Sequence, residues 1–147
     1  YSASRLYDGT NLVGVVDALG SQSISICVNY VESLFSGRVV RCHKANKKLG
    51  SLLDITEKAA RIGAGEILLQ SITREGKRTG LDLGAVKEVT DKFKGPVVVS
   101  GGLRDLSELD KDLSKNISGF AAGSFFVFSG SRRGVLISYP DDLERNI

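Results

Sequence analysis

The stretch Ser51-Leu52-Leu53-Asp54-Ile55-Thr56-Glu57-Lys58-Ala59-Ala60-Arg61-Ile62-Gly63-Ala64-Gly65-Glu66-Ile67-Leu68-Leu69 decides how this chain folds. Ser51, with Asp54 three residues on, has the form of a capping box, which satisfies free N–H groups at a helix start. Leu52, Ile55, Ala59 and Ile62 then recur at helical spacing and give one apolar face. Gly63 falls where that helix should stop, because a left-handed terminal residue costs least without a Cβ. Ile67-Leu68-Leu69 is apolar, too short for a helix and without alternation, as expected of a parallel strand covered on both faces.

The same unit recurs on either side. Upstream, Leu12, Val16 and Leu19 follow Thr10 as a candidate N-cap, Gly20 ends the helix, and Ser23-Ile24-Ser25-Ile26-Cys27-Val28 alternates like a strand. Downstream, Val86, Val89 and Phe93 follow Asp82, with Gly95 as the stop before Val97-Val98-Val99. Leu106, Leu109 and Leu113 follow Asp105 and lead to Phe120-Ala121-Ala122. Right-handed units of this kind build either a doubly wound sheet or a barrel, and residues 1–147 read as one (βα)4 segment without a linker. Leu34-Phe35-Ser36-Gly37-Arg38-Val39-Val40-Arg41 breaks the rhythm and reads as a hairpin inserted near residues 34–41. The tail Tyr139-Pro140-Asp141-Asp142 carries turn signals, with a weak helical stretch after it.

The 147 residues are 41% hydrophobic and 25% charged, enough for one core, and no apolar run reaches the roughly 18 residues of a spanning helix. Membrane and secretory readings are therefore not expected. A net charge of +3, spread along the chain, gives no nucleic-acid footprint. Cys27 and Cys42 form neither a disulfide framework nor a zinc pattern, which suits a reducing, cytoplasmic setting; no metal or cofactor is expected. The sequence contains no Met, so Tyr1 reads as the product of processing or as a point inside a longer chain.

Ligands of parallel αβ folds bind at the carboxyl ends of the strands. There the sequence places Asn29, then the loop from Gln70 to Gly80, then Ser100-Gly101-Gly102, then Gly123-Ser124. The last two can close backbone N–H groups on an anion, or can be tight turns alone. Glu75, in the loop, reads as an acid or base or as a solvated charge. Cys42-His43 has no geometry for a thiol–imidazole pair, and Lys44, Lys47 and Lys48 read as a solvated face.

Gly63-Ala64-Gly65-Glu66-Ile67-Leu68-Leu69-Gln70-Ser71-Ile72-Thr73-Arg74-Glu75-Gly76, then Ser100-Gly101-Gly102, then Ala122-Gly123-Ser124, closely resembles the cyclase subunit of imidazole glycerol phosphate synthase, from Tyr1 to about Phe128. Phe126-Val127-Phe128-Ser129-Gly130 and Val135-Leu136-Ile137-Ser138-Tyr139-Pro140 look like the cyclase-like branch of bacterial surface-polysaccharide and nonulosonic-acid biosynthesis, which acts in sugar amidation. The resemblance implies a TIM-type (βα)8 barrel, here only the carboxyl-terminal half-barrel, strands five to eight, with Ser2 and Ala3 at the end of strand four. It also implies a class I glutaminase partner at the amino-terminal face, from which ammonia passes through the barrel. By motif, Gly76, Gly102 and Ser124 match phosphate-binding positions, with Ser100, Gly101 and Gly123 beside them, and Glu66 matches the ammonia gate.

Three departures bear on catalysis. The family uses an aspartate on strand one and another on strand five; the second position is Asn29, and the strand-one segment is not represented. An amide orients a group but takes no proton from it near neutrality. The loop reads Thr73-Arg74-Glu75-Gly76 instead of Asp-x-Asp-Gly, and Leu103-Arg104 follows Gly102 instead of small residues. The expected function is an ammonia-accepting, phosphate-binding, cyclase-like amidotransferase subunit in surface-sugar amidation, inactive by itself. A histidine-pathway lyase fragment and a non-enzymatic, self-assembling half-barrel are the alternatives. The expected partners are a phosphorylated small molecule and either an amino-terminal half-barrel or a second copy.

Overall fold

A computed structural model describes residues 1–8, 10–42, 47–109, 117–129 and 134–135. Its centre is a six-stranded sheet in the order β3-β2-β1-β4-β5-β6. β1 (Ser25–Ser33), β4 (Glu66–Ser71), β5 (Val97–Ser100) and β6 (Gly119–Ala121) run parallel. β2 (Gly37–Cys42) and β3 (Lys47–Ser51) continue the sheet antiparallel from β1. The fold is α/β with a parallel-rich sheet, and its helices come from the apolar repeats of the sequence.

α2 (Leu52–Arg61) starts in the capping box read from Ser51 and Asp54, with both reciprocal bonds formed. Leu52, Ile55 and Ala59 are fully buried, and Gly63 takes a left-handed φ of 78° beyond the helix end. α3 (Leu83–Lys92) is capped by Asp82 and buries Ala85, Val86 and Val89. α1 (Leu12–Leu19) is capped by Asn11, whose side chain accepts from the Gly14 N–H, and not by Thr10; Thr10 is held by Asp8 instead. Its Leu19 is 58% exposed, so the apolar repeat there marks a half-buried helix. Gly95 does not adopt the left-handed stop expected of it. A Cβ there would come within 2.8 Å of the Phe93 ring, so close approach explains the glycine. After Asp105 only a 3-10 turn, Leu106–Glu108, is described; the remainder of the expected helix to Leu113, and the tail from Tyr139, lie outside the described residues.

β1 is longer than the alternating run suggested. It continues through Asn29 to Ser33 and turns at Leu34-Phe35-Ser36 into β2, so Asn29 lies within the strand and not after it. The hairpin also gains a third strand, β3, through a register shift at Val40/Arg41. This covers much of the β1 edge. Tyr30–Ser33 pairs with β2, while Ser2 forms a parallel bridge to Cys27 and the Tyr1 carbonyl accepts the Cys27 N–H at 2.7 Å.

Ile24 and Ile26 belong to the alternating run of β1 and its approach. They are 2% and 0% exposed, in one core cluster with Val28, Ile67, Leu69, Val89 and Val97. The opposite face carries Ser25, Cys27 and Asn29 of β1, Leu68 and Gln70 of β4, and Val98 and Ser100 of β5, all partly exposed. One face is thus sealed in the core and the other half-covered, because strand residues alternate between faces.

Candidate functional site

The parallel register sets Asn29 against Gln70, Gln70 against Ser100, and Ser100 against Ala121. Three uncharged hydrogen-bonding side chains therefore share one row, at the middle of β1 and near the carboxyl ends of β4 and β5, on the half-covered face. A step back along the strands lies an apolar row, Cys27, Leu68, Val98 and Gly119. The Cys27 thiol donates to the Asn29 side-chain oxygen at 3.3 Å, and burial pushes that thiol above its ordinary range. The Asn29-Gln70-Ser100 row can orient hydroxyl or carbonyl groups; none of the three exchanges a proton near neutrality.

Beyond the row, Gly101 and Gly102 hold left-handed φ of 94° and 97°. A Cβ on Gly101 would lie 2.7 Å from the Ser71 carbonyl oxygen and 3.4 Å from the Glu75 carboxylate; on Gly102 it would lie 2.5 Å from the Gly80 carbonyl oxygen. The Gly80 N–H donates to the Gly102 carbonyl at 2.8 Å. These glycines are thus required by tight packing of the 101–103 turn on the 71–80 loop. Residues 101–103 are buried, yet among the described residues the N–H groups of Gly102 and Leu103 have no hydrogen-bond partner, nor do those of Gly123 and Ser124. Gly123 has an ordinary φ of -98° and leads into the short helix Ser124–Val127. Gly76, exposed at φ 72°, follows Glu75 in the loop.

Glu66 sits at the opposite, amino-terminal end of the sheet, as the first residue of β4, where it accepts a 2.8 Å hydrogen bond from the Ser25 hydroxyl. His43 and Lys44 lie outside the described residues; Lys47 and Lys48 are exposed. Among the described residues no three His, Cys, Asp or Glu side chains gather as a metal site, and no helix is long and apolar enough to cross a membrane.

The loop at this face is held by two arginine clamps that sequence reasoning missed. Arg38 of β2 binds Asp82 in a fork, Nε to Oδ2 at 2.8 Å and Nη2 to Oδ1 at 2.7 Å, and reaches Glu88 at 3.2 Å. Tyr30 donates to the same Asp82 at 3.2 Å, and the Asp82 side chain caps α3 through the Ala85 N–H. Burial works upward on the Asp82 carboxyl, but the Arg38 and Ala85 bonds and the Arg38 and Arg74 charges outweigh it and hold the group below its usual range. Burial, then the Asp82 charge, drives the Tyr30 phenol upward. Arg74 forks onto Glu32 at 2.7 and 2.9 Å and donates to the Gly80 and Leu81 carbonyls, both at 3.1 Å. Asp82 was legible only as a helix start. Its ion pair joins residues 44 apart in sequence, which no local pattern encodes.

A parallel-rich α/β sheet with loops and turns at its carboxyl strand ends defines the class: an α/β protein of βα units. The chain belongs to the histidine biosynthesis protein family, whose sequence pattern matches residues 6–132. It is 39% identical to a protein of Leptospira interrogans over 84% of this chain and 50% of that one. It is 35% identical to a protein of Leptospira borgpetersenii over 86% of this chain and 51% of that one. Both carry the provisional name imidazole glycerol phosphate synthase subunit HisF. A protein of Lysinibacillus sphaericus named imidazole glycerol phosphate synthase subunit HisF is 32% identical over 76% of this chain and 45% of its own length. The chain spans about half the length of the curated relatives it matches.

Proposed function

We propose that this chain is the carboxyl-terminal half of a cyclase-type (βα)8 barrel, strands five to eight. It binds a phosphorylated ligand at its carboxyl-terminal face and accepts ammonia from a glutaminase docked at the other face, near Glu66. The observation that carries the binding is the buried 101–103 turn with unpartnered N–H groups at Gly102 and Leu103, matched by those at Gly123 and Ser124. Buried N–H groups require an acceptor, and a phosphate supplies several. Ser100, Gly101 and Gly76 complete the cradle in this reading. Asn29, Gln70 and Ser100 orient the ligand without acid–base work, so one chain by itself turns over no substrate.

For the pathway, the names of the relatives support imidazole glycerol phosphate synthase and histidine biosynthesis over surface-sugar amidation. The sugar-amidation reading keeps one observation in its favour, the amide at position 29 where a cyclase needs a carboxylate. Histidine-pathway or polysaccharide genes beside the coding sequence distinguish the two.

The binding test is a calorimetric titration of inorganic phosphate into the full chain and into Gly123→Glu. A Cβ at Gly123 meets nothing within 4 Å and the φ of -98° is ordinary, so the substitution brings no backbone strain or Cβ clash, while its carboxylate repels an anion. Saturable binding lost in the variant supports the reading. Equal affinity in both, or none in the parent, overturns it. The half-covered sheet face supports completion by a second half. Light scattering at micromolar concentration should find two chains together, or an assembly once an amino-terminal half-barrel is added; a stable monomer that binds neither refutes the half-barrel.

A further inference from the structure

Arg38, Arg74, Arg78 and Arg104 lie at the carboxyl-terminal face, where Arg104 pairs with Glu108 at 3.2 Å, and one of the four differs from the rest. Arg38 and Arg74 are each neutralised by a forked carboxylate. Arg78 forms no ion pair among the described residues. Its guanidinium instead donates to two carbonyls, Nη1 to Phe128 at 3.1 Å and Nη2 to Arg104 at 3.3 Å, and lies 5.7 Å from the centre of the Phe125 ring. Those partners place it between the segment that carries Gly102 and the segment that carries Ser124. The backbone at Arg78 is also the one non-glycine left-handed position among the described residues, at φ 55°. A side chain other than glycine, asparagine or aspartate is costly there and persists where the surroundings or a function hold it.

We infer that Arg78 is the cation of the anion site: it supplies the charge that the N–H cradle lacks and selects a dianionic phosphate over a monoanion. This rests on the phosphate reading above. Carbonyl acceptors orient a guanidinium without neutralising it as a forked carboxylate does, and among the described residues these bonds engage two of its five N–H donors. The face needs such a cation, because the Glu75 carboxylate lies 3.4 Å from where a Cβ on Gly101 would stand. A phosphate bound there gives the guanidinium an anionic acceptor, the stronger charge-assisted contact.

The test is a titration of inorganic phosphate into the full chain, Arg78→Gly, Arg78→Lys and Gly123→Glu, with melting temperatures recorded without phosphate. Arg78→Gly should weaken phosphate binding roughly 10- to 100-fold, the range of a charge-assisted hydrogen bond, and abolish the gain in affinity as phosphate passes to its dianion. Its melting temperature without phosphate should hold or rise, because glycine accepts φ 55° without strain. Arg78→Lys should recover part of the affinity and the dianion preference. A parent that binds phosphate, loses it in Gly123→Glu and keeps it unchanged in Arg78→Gly overturns this role alone. A drop in melting temperature with unchanged dianion preference makes Arg78 structural and overturns it too. A parent that binds no phosphate removes the site and this role together.

Discussion

Replacing Arg38 by methionine tests how the inserted hairpin is fixed to the rest of the sheet. The change keeps much of the aliphatic stem and removes the fork onto Asp82, at 2.8 and 2.7 Å, and the contact to Glu88 at 3.2 Å. Asp82, 6% exposed, is left with the Tyr30 hydroxyl at 3.2 Å and the Ala85 N–H at 3.1 Å. Breaking a buried ion pair from one side typically costs about 3–5 kcal/mol. The Arg38 side chain is 29% exposed and so partly screened by water, and Asp82 keeps two partners, so the expected loss is about 2–3 kcal/mol. Urea unfolding at pH 7 should show a lower midpoint with an unchanged slope. The pH dependence carries a sign of its own. Asp82 titrates below its ordinary value in the folded chain, so its contribution is complete above the unfolded carboxylate pKa of about 4 and is lost as pH falls through the lower folded value. The difference between the two proteins should therefore narrow as the solution is acidified below about pH 4. A loss under about 0.5 kcal/mol, or a difference that stays constant down to acid pH, would refute the reasoning.

Three further outcomes follow from local geometry. Ser51→Ala removes the capping-box hydroxyl at the start of α2 and should cost about 1 kcal/mol by denaturant unfolding; no change would mean that packing alone holds that helix start. Ile67→Ala, at a fully buried position of β4, should cost about 2–5 kcal/mol and leave phosphate affinity intact, since its side chain faces away from the Asn29 row. Burial raises the Cys27 thiol, so alkylation of Cys27 by iodoacetamide near neutral pH in a Cys42→Ser background should be slower than that of a free cysteine; an equal or faster rate would show an open, activated thiol.

The candidate site was legible in part. Ser100-Gly101-Gly102 and Gly123-Ser124 are legible because glycine follows a short apolar run in each, and both segments do lie where parallel strands finish. What the letters could not give was which glycines are turns. Gly102 has its left-handed φ and its 2.5 Å approach to Gly80 for packing reasons, whereas a Cβ on Gly123 meets nothing within 4 Å. Asn29 was read as the residue after a strand, because alternation weakens past Val28. The structure carries the strand on to Ser33, since β2 pairs with that extension.

The sequence by itself determined the helix-strand alternation, the cap at Ser51, the stop at Gly63 and the cap at Asp82, because each depends on residues within one turn of one another. Tertiary structure decided which strand face is sealed. Ile26 and Cys27 are neighbours of similar hydrophobicity, and only the packing of Ile26 into the core with Val89 and Ile55 sends one inside and leaves the other half-exposed. It also decided the charges: Arg38, Arg74 and Arg78 look alike in sequence, and among the described residues the fold gives two of them carboxylates and the third two carbonyl oxygens and an aromatic ring. Charge pairing acts through space at a few ångströms, and only the folded chain brings residues 38 and 82 that close.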